Sequence, residues 1–520
     1  MSDDSHTLGR LAEEAWARHS DHESLYFEGT WFRSHGLAQR ARRATRGFTE
    51  LGVRPGDRVV VLMANCPDVY ITYTALWRAG AVVTPVVFLA SEDELSHILR
   101  DCGARVVVTS AEWTGKVANA AAGLDVTVAV AGEAPGEAAQ APGTVPLAEL
   151  ENAAEAPVVD RTPDDLAALM YTGGTTGRAK GVVLTNEGLW RVARASYERA
   201  HVPGVNRAII PLPLSHAFGL IVTIVGMHAE EPAVSVLQRW FDAKQWLALA
   251  VEHRIQLGAV VPAMIQLLLA EPLEETDLSE LRYLSSGAAP LAREVLEQFE
   301  RRVPSVQILE GYGLTETSAV TSVNPPGHRR VGSVGLPLSC YQVVIRDDDG
   351  HELPPGSDGE ICVRGETLMR RYWNAPDTTE AALADSGREL RTGDIGRLDA
   401  DGYLYIVDRK KDLIIRNGFN IYPRDVEDVL VEHPDVAMAG VIGRPDAKVG
   451  EEVVAFVMAR WGAHVAADEL TAFAKQRLAA TKYPREIHVV DTIPLTSVGK
   501  LDRKKLRATL AATPLSAAST

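Results

Sequence analysis

"SEDELSHILRDCGARVVVTS" (residues 91–110) holds one complete helix–glycine–strand unit, the repeating element of an α/β fold. Ser91 followed three positions later by Glu94 is a capping box, in which the serine hydroxyl accepts from a backbone N–H at the helix start. Gly103 ends the helical pattern, and the apolar run after it predicts a buried strand. The same unit stands upstream. "GLAQRARRATRGFTELGV" (36–53) predicts a helix stopping at Gly52, and "GDRVVVLMAN" (56–65) a strand between turn residues. "PDVYITYTALWRAGAVVTPV" (67–86) predicts a helix to Gly80 and another strand. Helices alternating with apolar strands mean βα units and a mostly parallel sheet.

Downstream, residues 125–160, with "AVAGEAPGEAAQAPGTVPL" (129–147), are rich in Ala, Pro, Gly and Glu and are expected to be a surface connection. A second α/β block is expected over 166–330. From 331 to 410 the texture turns to short strands and turns, as in "SCYQVVIRDDDGHELPPGSDGEICVRG" (339–365), which predicts a β-rich unit. After "DRKKD" (408–412), helices at "PRDVEDVLVEHP" and "DELTAFAKQRLA" and strands at "VAMAGVIG" and "EEVVAFVMA" predict a compact α+β unit. The expected division is a large domain over 1–410, with subdomains 1–165, 166–330 and 331–410, and a small mobile domain over 411–520.

The bulk numbers bound the function. A chain of 520 residues can bury several cores. Its 46% hydrophobic and 23% charged residues are an ordinary globular composition. The net charge of −16 argues against nucleic acid as a partner, while a small anion needs only local cations and N–H groups. Cys66, Cys102, Cys340 and Cys362 are scattered without metal-like spacing. "MSDDSHTLGR" is acidic and polar, so no signal peptide is read there. The longest apolar stretch, "LGAVVPAMIQLLLA" (257–270), is too short for a membrane span. A cytoplasmic location is the expectation.

Chemistry enters at "YTGGTTGRAKGV" (171–182), which follows the strand-like "DDLAALMY" (164–171). Gly173, Gly174 and Gly177 free the backbone to turn and present N–H groups to an anion. Thr172, Thr175 and Thr176 add hydroxyls and Lys180 a mobile cation. This is a phosphate cradle, and it is not a Walker A loop, because Lys180 is followed by Gly181 rather than Ser or Thr. A plain hairpin turn is the duller alternative.

The loop resembles the phosphate-binding signature of the adenylate-forming acyl-CoA synthetases, relatives of firefly luciferase and of peptide-synthetase adenylation domains. Five further stretches are similar to that family's motifs, in its order: "PLPLSHAFGL" (211–220), "LSSGAAPL" (284–291), "GYGLTETS" (311–318), "RTGDIGRLDADGYLYIVDRKKDLIIRNGFNIYPRDVE" (391–427) and "PLTSVGKLDRKKLR" (494–507). The resemblance implies that His216 and Phe218 flank an acyl pocket completed by Ala263, Gly287 and Gly313. It implies that Gly287, Ala288, Ala289 and Pro290 line the adenine site, with Tyr312 and Gly313 beside the base. Thr315 is implied at the α-phosphate, Glu316 as a Mg²⁺ ligand, and Asp394 and Arg409 on the ribose hydroxyls. Lys411 falls at the hinge, Gly418 and Phe419 at the CoA tunnel, and Lys500 at the place of the catalytic lysine, with Thr175, Lys180 and Glu316 sharing the catalysis.

The implied activity is conversion of a carboxylic acid and ATP to an acyl-adenylate, followed by thioester formation with CoA and release of AMP. The residue types suit it. Charge developing on phosphate oxygens is met by N–H groups, a lysine and Mg²⁺, and an ionised Asp394 can accept from two ribose hydroxyls. Duller roles exist for each: His216 as a partly buried histidine, Asp394 as a turn residue, Glu316 as a helix cap, Lys500 as solvated surface. Gly173 stands where relatives usually have Ser, and Ala179 where they usually have Pro. Three alternatives therefore stay open: an enzyme running mainly the thioester half-reaction, one loading a carrier protein, and a degenerate nucleotide- or acyl-binding protein. A carrier protein and a homodimer are the partners left open besides the small molecules.

Overall fold

The helix read from Ser91 forms over Glu92–Cys102 in the computed structural model, which describes residues 6–132, 143–172, 178–446, 448–495 and 501–512. Ser91 Oγ accepts from the Glu94 N–H at 3.1 Å, and Gly103 closes the helix at φ +63°. Strand Val106–Ser110 follows, as expected. Helices Ser34–Glu50 and Pro67–Arg78 and strands Arg58–Leu62 and Val82–Pro85 complete the repeated units.

These strands build a seven-stranded sheet in the order 144–146, 127–131, 106–110, 58–62, 82–85, 166–172 and 180–185. Every pair is parallel except the last, Leu166–Thr172 with Lys180–Thr185. In the central strand Val59 and Val61 enter one apolar cluster and Val60 and Leu62 the other, so both faces are covered.

Two expectations about this region change. Residues 125–160 are not solely a surface connection: Thr127–Ala131 and Thr144–Pro146 extend the sheet, the second as its edge strand. Edge strands are short and tolerate the Pro and Gly that marked the stretch as a loop. The block expected to begin at 166 also gives its first two strands to the seven-stranded sheet, whereas Glu23–Phe27 and Thr30–Arg33 leave the first block and join a second sheet. Which sheet a strand joins is set by long-range pairing, here Val83 with Ala168, and carries no local signal.

The second sheet has nine strands, with Arg207–Ile210, Leu257–Val260, Tyr283–Ser286 and Gln307–Tyr312 running parallel at its centre. Within residues 331–410, Leu336–Pro337 joins the nine-stranded sheet, and Gln342–Arg346, Gly359–Arg364, Leu383–Ala384, Glu389–Leu398 and Leu404–Arg409 form an antiparallel sheet. A fourth sheet follows the "DRKKD" segment. Helices Pro423–Val431 and Ala467–Arg477 pack on one of its faces, and Arg503–Ala512 packs on the other through Leu506. Among the described residues no helix is long and apolar enough to cross a membrane.

Candidate functional site

A cavity of about 1250 Å³ opens at the C-terminal ends of the central strands of the nine-stranded sheet, the place where parallel α/β sheets present ligands. One arm runs back along the sheet. Ala259, Ser285 and Leu309 are neighbours in register and share a face, so the floor of this arm is mostly small side chains. Phe218, Ile221 and Val222 of helix Ala217–Met227 form the opposite wall. His216 is the N-cap of that helix, and its Nδ1 accepts from the Phe218 N–H at 3.3 Å, which fixes the ring at the cavity edge. No charged side chain lining the cavity comes from the central strands or from helices Asn186–Ala200 and Ala217–Met227. That arm is apolar.

The other arm is polar. Tyr312 ends strand Gln307–Tyr312, and its hydroxyl donates to Asp394 Oδ2 at 2.7 Å. Asp394 pairs in register with Arg409 across two antiparallel strands, which brings Arg409 Nε to 3.3 Å from Oδ1. Asp394 is buried, and burial beside it holds the Tyr312 hydroxyl pKa far above its usual value. Gly313 follows with no alternative: a Cβ there would lie 2.0 Å from the Ala319 carbonyl oxygen. Glu316 lies in the short turn Thr315–Thr317 and receives the Tyr372 hydroxyl on Oε1 at 2.7 Å. Its Oε2 makes no hydrogen bond or ion pair among the described residues. The Tyr372 ring stands 5.7 Å from Lys180 Nζ.

The strands on either side of the glycine-rich loop pair as the two limbs of a hairpin. Thr172 and Lys180 are register partners in antiparallel strands, so both line the cavity from opposite limbs. Gly173, Gly174, Thr175, Thr176 and Gly177 lie outside the described residues, as does Lys500. The chain on either side of Lys500 is placed: Leu495 and Leu501 form an antiparallel bridge, the Asp502 N–H donates to the Pro494 carbonyl at 2.9 Å, and Leu501 to Lys504 line the cavity.

Lys411 also lines the cavity, and burial together with the neighbouring Arg409 lowers its ammonium pKa. Gly287, Ala288 and Thr315 line it too, with Ala288 in the left-handed region at φ +68°. Other expected residues are not brought in. Ala263 packs against the small cluster of Leu212, Ala259 and Val261 and does not line the cavity, because its helix, Pro262–Leu269, starts beyond the strand end. Ala289 and Pro290 lie past the turn, with Pro290 exposed. Asn417 and Gly418, at φ +51° and +78°, form the two-residue turn of a hairpin of the C-terminal sheet. That hairpin leaves Phe419 58% exposed and away from the cavity in this arrangement. Tyr372 was not read from the sequence. Its only local signal is an aromatic pair, Tyr372–Trp373, in a polar stretch of the β-rich unit.

The chain is similar to known proteins along most of its length. The AMP-binding enzyme family matches residues 12–373, and the AMP-binding enzyme C-terminal domain matches residues 425–500. A feruloyl-CoA synthase from Amycolatopsis sp is 35% identical over 94% of this chain and 96% of its own length. A long-chain-fatty-acid–CoA ligase from Mycobacterium tuberculosis is 34% identical over 91% of this chain and 92% of its own. The ATP-bound structure of MatB from Rhodopseudomonas palustris superposes with a TM-score of 0.88 at 30% identity, covering 97% of this chain and 99% of that one. The chain belongs to the AMP-binding enzymes, as a member of the adenylate-forming acyl-CoA synthetases, the acid–thiol ligases that release AMP.

Proposed function

We propose that this enzyme activates an apolar monocarboxylic acid: the acid's tail fills the apolar arm, ATP occupies the polar arm, and CoA accepts the acyl group. The observation that carries the reading is the continuity of one cavity whose two arms differ so sharply in charge. In this reading Asp394 and Arg409 hold the ribose, and Tyr312 packs beside the base. Thr172, Thr315 and Lys180 meet the phosphates, with Gly173 to Gly177 completing the cradle. The acid's carboxylate attacks the α-phosphorus and pyrophosphate leaves. Lys180 and backbone N–H groups then meet charge growing on the oxygens. Lys500, next in sequence to Leu501, supplies a second cation near the carboxylate in this reading. Glu316 keeps one carboxylate oxygen for a cation, which suits a hard oxygen-seeking ion; Mg²⁺ there would neutralise charge on the phosphates.

For the second step, Lys411 is the proposed hinge about which the C-terminal domain, 411–520, turns against 1–410. The exposed turn at Gly418 and Phe419 would then reach the cavity as part of the CoA path. The named CoA ligases among the relatives favour CoA over a carrier protein and favour the full reaction over the thioester half alone.

The test is ATP–pyrophosphate exchange across a panel of aryl acids, fatty acids and short dicarboxylic acids. Exchange is expected with at least one apolar monoacid and at least about tenfold weaker with every dicarboxylate, since a second carboxylate would be buried without a partner. Exchange with dicarboxylates alone refutes the apolar arm as the acyl site. Turnover of a preformed acyl-adenylate without exchange on any acid refutes the adenylation half.

A further inference from the structure

Helix Glu92–Cys102 touches the glycine-rich hairpin at two points, through side chains that belong to none of the motifs above. His97 Nε2 donates to the Ala179 carbonyl at 3.0 Å, one residue before Lys180. A carbonyl only accepts, so in this bond the ring proton sits on Nε2. Asp101 stands four residues further along and so on the same helix face. Its Oδ2 accepts the Tyr171 hydroxyl at 2.6 Å, and Tyr171 lies in the opposite limb of the hairpin, one residue before Thr172. The Asp101 backbone carbonyl also accepts from Trp373 Nε1 at 3.0 Å and from Asn374 Nδ2 at 3.2 Å. Those residues directly follow Tyr372, which holds Glu316. Gly181 lets the layers approach: a Cβ there would lie 2.9 Å from Leu169 and 3.2 Å from both Trp373 and Tyr171. The helix is itself anchored, with Leu95, Ile98, Leu99 and Cys102 buried.

We propose that helix Glu92–Cys102 is a clamp for this hairpin, with His97 the positioning residue for Lys180 and Asp101 the positioning residue for Tyr171 and the Tyr372 segment. The inference rests on the reading of residues 171–182 as the phosphate-binding loop. Ala179 does not restrict its own φ as a proline would, and the bond from His97 fixes its carbonyl from outside. Without that bond the limb entering Lys180 gains freedom, and a small displacement of a positioned cation costs heavily in phosphoryl chemistry. The loss falls on adenylation. Thioester formation from a finished acyl-adenylate is spared, because pyrophosphate has already left.

The experiment compares His97→Ala, His97→Gln and the double variant His97→Ala/Ala179→Pro in two assays on the full chain. One is ATP–pyrophosphate exchange, and the other is thioester formation from synthetic acyl-adenylate and CoA. His97→Ala is expected to lower exchange kcat/KM for ATP by about tenfold and to leave the second assay within about twofold. His97→Gln is expected to recover most of the exchange, because an amide N–H can reach the same carbonyl. The proline of the double variant is expected to recover part of it by stiffening the limb directly. Unchanged exchange in His97→Ala, or equal loss in both assays that Gln does not recover, overturns the clamp. Lys180→Ala separates the two levels of the argument: full exchange in that variant overturns the phosphate-loop reading itself, whereas its loss alongside an unaffected His97→Ala overturns only the clamp.

Discussion

Tyr312 and Asp394 show how a single hydrogen bond can organise the polar arm of the cavity. Asp394 is 5% exposed, so each carboxylate oxygen needs a partner to offset lost hydration. Oδ2 has the Tyr312 hydroxyl and Oδ1 faces Arg409. Because burial and the adjacent carboxylate hold the phenol pKa far above the physiological range, Tyr312 remains a donor whenever the enzyme is folded. Tyr312→Phe keeps the ring and deletes only the donor, leaving a buried oxygen unmet. The expected result is a rise of about five- to twentyfold in KM for ATP in pyrophosphate exchange, with a smaller change in kcat. An ATP KM equal to that of the parent enzyme would separate this hydroxyl from nucleotide binding. The pair Tyr372–Glu316 repeats the device near Lys180, where burial and the Glu316 carboxylate likewise raise the phenol pKa.

At the scale of one element, helix Glu92–Cys102 joins local stability to the site, since Ser91 caps it and His97 and Asp101 project from it. Ser91→Ala removes the acceptor for the Glu94 N–H and is expected to cost about 1 kcal/mol of stability by chemical denaturation, with Ser91→Asp keeping most of it. A variant as stable as the parent would mean that the cap is replaced by water. The same helix marks the border of what the sequence reveals. Its cap, its glycine stop and the strand after it are readable because each depends on residues within a few positions. Gly313, Asp394 and Arg409 were legible as members of family motifs, although neither the crowding at Gly313 nor the register of Asp394 with Arg409 was read from them. Contacts made at a distance were not. His97 meets Ala179 across 82 residues, Tyr372 meets Glu316 across 56, and Trp373 meets Asp101 across 272. No local pattern encodes such pairs, which is also why the sheet membership of Leu166–Thr172 and the two strands within 125–160 escaped the reading.

At the scale of the whole molecule, Arg424 ties the C-terminal sheet to the β-rich unit. Its backbone N–H donates to Asp408 Oδ2 and its Nη1 to the Ile406 carbonyl, both at 2.9 Å, which bolts the start of helix Pro423–Val431 onto strand Leu404–Arg409. Glu310 lies beside this junction from the nine-stranded sheet, buried. Burial drives its carboxyl pKa up to about 7; Arg424, Arg329 and the Gly332 N–H oppose the rise, and Asp428 adds to it. Burial likewise raises Asp408 and Asp428. The unfolded chain releases the Glu310 proton near 4.5, whereas the folded chain keeps it to about 7. Between those values the folded state binds more protons, so stability falls as pH rises through that window and levels off above it. The Glu310 contribution is at most about 3 kcal/mol across the window. Glu310→Gln keeps the shape without the titration. Thermal midpoints of parent and variant, measured from pH 5 to pH 8, are expected to diverge, the parent declining relative to the variant up to pH 7 and running parallel beyond it. Parallel curves throughout would remove Glu310 from the junction's pH response.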